Sequence, residues 1–189
     1  MNRLIHDFAL WVDTHAWSTA LHESYYMYNW IESTHVLALM LSLGMLFLID
    51  LRMLGLALPD VPASTLARRL NVPMLIGFGV MIATGLLLFY AIPVRTSQSL
   101  WFRIKLVLLL AAAVNAWLFH RRMRAASADW DGTPRAPRSL QVGAGLSLLL
   151  WAFIVICGRL IAYDWFDCAA RPPELIATLA GCIDGQAQF

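Results

Sequence analysis

Hydrophobic positions run through this chain in four long stretches, each closed by charged residues. Between Glu32 and Asp50 lie 17 uncharged residues, between Arg69 and Arg95 25, between Lys105 and Arg121 15, and between Arg138 and Arg159 20. A helix needs about 20 mostly apolar residues to cross a bilayer. The second and fourth stretches meet that length outright. The first and third meet it by taking in polar residues at one end: Glu32 in the first, Arg103 and Lys105 in the third. The pattern predicts spans near 30–51, 72–92, 100–120 and 141–163. They must be helices, because in lipid the backbone has only itself to bond to.

The segments between and around the runs have their own patterns. "RLIHDFALWVDTHAWSTALHE" places Leu4, Ile5, Phe8, Trp11 and Val12 at helical spacing. It predicts one or two short amphipathic helices on the outer membrane face. "ALPDVPAS" is a proline-rich break with Ser64 or Thr65 as helix caps after it. Pro73 is expected in the first turn of the second span, where proline is tolerated. "SADWDGTPRAPRS" reads as a flexible inner loop. The fold class is therefore all-α: an integral membrane antiparallel four-helix bundle with an N-terminal amphipathic interfacial helix and a short C-terminal hairpin. The expected organisation is an outer-face segment over 1–27, a transmembrane domain over 28–165 and a tail over 166–189.

Composition supports lipid as the solvent. The chain has 189 residues, 60% hydrophobic and 14% charged, against about 25% charged in soluble domains. Tryptophans and tyrosines cluster near the ends of the apolar runs, as interface anchors do. A formal charge of +2 gives no nucleic-acid footprint. Dinucleotide, P-loop, serine-hydrolase, zincin and Cys-x-x-Cys motifs do not occur, so those soluble enzyme classes lose support. Basic residues set the orientation. Arg52, Arg68 and Arg69 follow the first span, and Arg121, Arg122, Arg124, Arg135 and Arg138 follow the third. Positive residues favour the cytoplasm, which puts both termini outside. The first 27 residues carry Asp7 and Asp13 within the apolar pattern, so no separate signal peptide is read there.

Outside the cytoplasm thiols oxidise, and the tail carries Cys168 and Cys182 around a helix-like run that follows Pro172–Pro173. A Cys168–Cys182 disulfide is expected to close this hairpin. A loop of this length is worth roughly 3 kcal/mol. Cys157 falls mid-span and is expected as a small buried residue.

Ionisable residues inside spans are the functional candidates. At 1.5 Å per residue, His35 lies roughly 7 Å below an outer edge at Trp30, Lys105 about as deep, and Arg159 roughly 6 Å below Tyr163. With Glu32 they predict one polar layer in the outer leaflet. In it His35 is a haem or metal ligand or a proton carrier, Glu32 orients a neighbour, and Lys105 and Arg159 hold an anionic group or polarise a quinone carbonyl. The competing reading is a set of ion pairs and snorkelling side chains. His120, at the inner end of the third span, is the second candidate metal ligand, with headgroup contact as its plain alternative. It differs from His35 in depth by roughly 22 Å, so the two cannot share one iron with bonds of about 2 Å. His22 is the candidate second ligand for His35, and Met53 or Met74 for His120. The methionines form no ladder, which leaves copper weakly supported.

The stretches "ESTHVLALMLSLGMLFLIDLRMLGL", "TGLLLF", "WFRIKLVLLLAAAVNAWLFH" and "GRLIAY" resemble, in order over about residues 20–165, a family of bacterial four-span membrane proteins of unknown function. The resemblance maps recurrent positions onto Glu32, His35, Asp50, Arg52, Gly85, Arg103, Lys105, Asn115, His120, Gly158 and Arg159. More distantly, a histidine in the first span and a lysine opening "RIKLVLLLAAAVNA" are similar to copper-resistance D membrane proteins and to di-haem cytochrome b bundles. The resemblance implies the bacterial inner membrane, with periplasmic termini. Three functions follow as expectations: a cytochrome b-like electron-transfer subunit with haem b or quinone; a non-catalytic anchor for a periplasmic or membrane protein partner; and copper uptake or handling. The bilayer is the expected surrounding, and a second copy of the chain a further candidate partner.

Overall fold

A computed structural model describes residues 2–125, 130–163, 168 and 171–182, and every described element is helical. In chain order these are α1 (Asn2–Asp13), α2 (Ala16–Glu23), α3 (Met27–Met53), α4 (Ala63–Ala91), α5 (Pro93–Ser97), α6 (Leu100–Ala125), α7 (Arg138–Ala162) and α8 (Glu174–Ala180). By length and composition α3, α4, α6 and α7 can each cross a membrane. The chain is therefore a multi-pass, all-α membrane protein. The two short amphipathic helices and the C-terminal helix also form where the pattern put them. Cys168 and Cys182 are joined in a disulfide.

Two expectations are corrected at α4. The helix begins at Ala63, ahead of the expected span, so Pro73 lies inside it and not in its first turn. Proline has no N–H to donate and crowds the preceding turn. The helix runs through Pro73 because its start is secured from elsewhere in the chain. Ser64 and Thr65 are not the cap. Asp131 is, reaching in from the loop before α7: its Oδ1 accepts the Ser64 N–H at 2.8 Å and its Oδ2 the Ser64 hydroxyl at 2.6 Å. A carboxylate on these otherwise orphaned donors is also well placed against the helix dipole. α5, a short turn opening with Pro93, was not anticipated.

The chain packs as two compact units. The terminal unit comprises residues 1–34, 83–107 and 154–189, and the loop unit residues 35–82 and 108–153. In the terminal unit the first turns of α3 and α6 meet the last turns of α4 and α7, so successive spans run in opposite directions. Both chain ends belong to that unit. The loop unit has a core of Ile49 and Met53 from α3, Ala63, Leu66 and Met74 from α4, and Ala136, Leu140 and Ala144 from the α7 side, with Phe119 and Met123 of α6 packed against it.

Inside the loop unit the helix contacts use small residues. A Cβ built on Gly77 would fall on the Ser42 hydroxyl, and one on Gly143 would stand 3.1 Å from the Phe119 ring. Asn115 of α6 donates to the Gly143 carbonyl of α7 at 3.0 Å. Large apolar side chains point the other way: Leu37, Met40 and Leu41 on α3, Val107 and Leu110 on α6, and Leu149 and Phe153 on α7 are all exposed. Water would not tolerate that arrangement, but a bilayer does. Association between helices in lipid relies on close packing of small residues and on buried hydrogen bonds, because burial of apolar surface no longer drives it.

Candidate functional site

In the terminal unit, the polar layer expected near the start of α3 is only partly assembled. Lys105 of α6 is half-buried, with its ammonium 3.5 Å from where a Cβ on Gly158 would stand and next to Cys157 of α7. Arg159, the next residue on α7, is exposed, and donates to the Tyr163 hydroxyl at 2.6 Å with its guanidinium 5.0 Å from that ring's centre. Glu32 is exposed, and no ion pair joins it to Lys105 or Arg159 among the described residues. His35 falls in the loop unit and is half-buried.

The other metal candidates are placed as follows. His120 is exposed at the end of α6, its Nδ1 2.9 Å from the Ala116 carbonyl of its own helix. Met53 and Met74 are both buried in the apolar core of the loop unit. His22 is exposed, edge-on to Tyr28. Among the described residues no three His, Cys, Asp or Glu side chains gather as a metal-binding group.

Arg103, taken from sequence as an edge residue, has a larger role. Its guanidinium donates to Asn2 Oδ1 of α1 at 3.0 Å, to the Leu179 carbonyl of α8 at 3.2 Å and to the Ser97 carbonyl at the end of α5 at 3.3 Å. One side chain thus ties three short elements into a cap. Asn2 also donates to the Thr178 carbonyl of α8, and His6 of α1 bonds Gln98 just after α5. Ser18 of α2 is fully buried and donates at 2.7 Å to the Tyr90 carbonyl, one of the acceptors left over where α4 ends. α8 ends on Gly181, whose φ of +80° lies in the left-handed region; a Cβ there would land on the Arg103 guanidinium. Glycine meets both demands at once.

The loop unit holds Arg52 and Asp50, which the resemblance singled out as recurrent positions but to which the sequence reading gave no site role. Arg52 is fully buried, yet among the described residues no carboxylate takes its charge by a direct bond. Its guanidinium donates to four backbone carbonyls: Val61 at 2.6 Å, Thr133 at 2.9 Å, Pro134 at 3.2 Å and Asp131 at 3.4 Å. The planar fork, with five donors, matches such a cluster of acceptors. It ties the loop before α4 to the loop before α7, so the described part of the stretch expected as a flexible inner loop, 130–137, is tethered. The Ser64 hydroxyl bond holds the Asp131 carboxyl below the usual carboxylate range, against the opposing effect of burial; the Ser64 N–H and the charges of Arg52 and Arg68 add to the lowering. Asp50, one turn before the end of α3, is also buried and hydrogen-bonds Ser147 of α7, while its Oδ2 has no partner. A signal was present in "LIDLR": two opposite charges at the edge of an apolar run. Their partners lie on other helices and loops, where sequence spacing gives no guide.

A family model described as a family of unknown function, DUF6644, covers residues 11–164. The chain belongs to that family. No curated protein and no solved structure matches. The DUF6644 match takes in the four spans, the loops before α4 and α7, and the Arg52, Asp131 and Asp50 arrangements. Asn2 and Leu179, two of the groups bonded to Arg103, lie outside the matched stretch, as does the Cys168–Cys182 disulfide. The DUF6644 region is thus the membrane-spanning body, and part of the cap is built from sequence beyond it.

Proposed function

We propose that this DUF6644 chain is a membrane-embedded accessory subunit that anchors a partner protein at the face carrying both termini. The observation that supports this reading is the Arg103 cap. Spanning a bilayer requires no tertiary structure beyond the helices, but here an arginine braces the N-terminal α1 and the C-terminal α8 on α5, and a disulfide closes the segment around α8. The braced α8 leaves Leu175 and Leu179 exposed, an apolar pair on a rigid mount, which suits a protein contact. On α1 the exposed Leu4, Phe8 and Trp11 share one helix face and suit the membrane interface.

The test places a photo-activatable cross-linker at Leu175, and as a control at the apolar Leu110 on α6, in native membranes. The reading expects one discrete polypeptide adduct from position 175 and none from 110. No polypeptide adduct at 175, or the same adducts at both positions, would overturn it.

A second reading, a redox subunit with a quinone or haem b site, is favoured by Lys105. Its ammonium is sunk against Gly158, and no carboxylate of the described residues pairs with it. That suits a quinone carbonyl or an anionic group. Visible spectroscopy, extracted-quinone assay and metal analysis of the purified protein separate the cases. A Soret band lost in His35→Ala, or quinone lost in Lys105→Ala, would support the redox reading. Stoichiometric copper would support copper handling.

A further inference from the structure

We propose that Asp50 is a proton-binding site inside the loop unit, a buried carboxyl that holds a proton and exchanges it in the membrane-embedded protein. The inference rests on geometry and is independent of the anchor reading. Asp50 is 4% exposed, on a helix that spans the membrane. Among the described residues one carboxyl oxygen has no hydrogen-bond partner, and the group bonds Ser147 of α7. An ionised carboxylate so placed carries a heavy desolvation cost unless a cation or several donors offset it.

No cation of the described residues does so. Arg52 is two positions along α3, on another side of the helix, and its guanidinium is committed to Val61, Asp131, Thr133 and Pro134. His35, also on α3, is roughly 22 Å away along the axis. From α4, Arg68 and Arg69 are exposed. On α6, His120, Arg121, Arg122 and Arg124 are exposed, with Arg121 over Trp117 and Arg122 donating to the Ser139 carbonyl. Arg135 and Arg138, before and at the start of α7, are exposed, and so is Asp60 in the loop before α4. Asp131 is engaged by Ser64.

The neutral acid suits this environment: it carries no charge, and its single O–H donor and acceptor oxygen match a hydroxyl neighbour. Ser147 lies one turn beyond Gly143, whose carbonyl takes the Asn115 amide. Ser147 and Asn115 are buried as well, so the Asp50–Ser147 bond lies one turn of α7 from the Asn115–Gly143 bond. An intramembrane acid with one oxygen unoccupied and a hydroxyl at the other is equipped to exchange a proton. A carboxylate built only to join two helices would have both oxygens bonded.

The test is infrared spectroscopy of the full chain in liposomes with carbonyl-labelled aspartate, titrated from pH 5 to 9. The expected result is a protonated-carboxyl C=O band at pH 5 that falls reversibly as pH rises. The band should be absent in Asp50→Asn and shifted in frequency in Ser147→Ala, which alters its hydrogen bond. Should Asp50→Asn fail to fold, the wild-type titration and the Ser147→Ala shift still decide the question. No such band at pH 5, a band unchanged across the whole range, or a band untouched by both substitutions would overturn the proposal. An unchanged band would mean a permanently neutral acid that serves only as a link between α3 and α7.

Discussion

Replacing Arg52 should uncouple the two loops at the Arg52 end of the loop unit. Arg52→Ala leaves the carbonyls of Val61, Asp131, Thr133 and Pro134 without this donor. A hydrogen bond to a charged group contributes about 1.5–3 kcal/mol. The four cannot simply be summed: they share one charge, and the acceptors are part-buried, so water recovers some of the loss. A buried acceptor left unsatisfied costs about 1–3 kcal/mol; with water recovering part of the loss, the four together come to roughly 3–5 kcal/mol, a 10²- to 10⁴-fold change in the unfolding equilibrium. Arg52→Lys should recover part of this, because an ammonium donates from one point and cannot span the cluster. Arg52→Met keeps the packing of the aliphatic stem and loses every donor. The chain carries its own reporter: Cys157 is free and buried while the other two cysteines are paired. Reaction of Cys157 with a thiol-reactive dye, followed against denaturant in detergent micelles, measures opening of the fold. Arg52→Ala and Arg52→Met should both react at much lower denaturant than wild type. If Arg52→Ala lies within about 0.5 kcal/mol of wild type, the range of ordinary surface changes, or if Arg52→Met restores wild-type behaviour, the hydrogen-bonded clamp is not what holds these loops.

Three further outcomes are expected. Asp131→Asn should cost about 0.5–2 kcal/mol at pH 7 through the weakened cap of α4. Because the Asp131 carboxyl is held below its usual range, that stabilisation is present above the unfolded value of about 3.9 and lost as pH falls through the lower folded value, so the gap between variant and wild type should close in strong acid; thermal unfolding at stepped pH checks this, and a gap that is constant with pH would refute it. Gly181→Ala should lower stability by at least about 1 kcal/mol, since alanine is strained at positive φ and its methyl would displace Arg103; an unchanged melting midpoint would refute the close approach. Gly77→Ala should destabilise by about 1–3 kcal/mol through overpacking against Ser42, and Ser42→Ala should relieve it, because the Ser42 Cβ is 3.5 Å from the added Cβ and only the hydroxyl collides; a double-mutant cycle with no coupling would refute that contact.

The sequence alone determined the membrane class, the four spans, the short N-terminal helices and the cysteine pairing. Each of these depends on local quantities: the length of an uncharged run, a helical period, two thiols a short loop apart. It expected Pro73 in a first helical turn and Ser64 or Thr65 as the cap of α4 because it weighed them by their neighbours, whereas the capping carboxylate comes from Asp131, in a loop two helices further on. For the same reason it treated Arg52 as one more cytoplasmic charge, Arg103 as an edge residue and Asp50 as a boundary marker. Arg52 bonds carbonyls from 9 to 82 residues away, and Arg103 reaches Asn2 across 101 positions. The depth count ranked His35, Lys105 and Arg159, with Glu32, by height along their helices, but height does not determine azimuth. Tertiary packing turned Lys105 onto Gly158, left Glu32 and Arg159 exposed, and buried Asp50 against Ser147. Partition into lipid is additive along a segment and so can be read from it; the pairing of polar groups depends on which faces of separate helices meet, and only the fold brings those faces together.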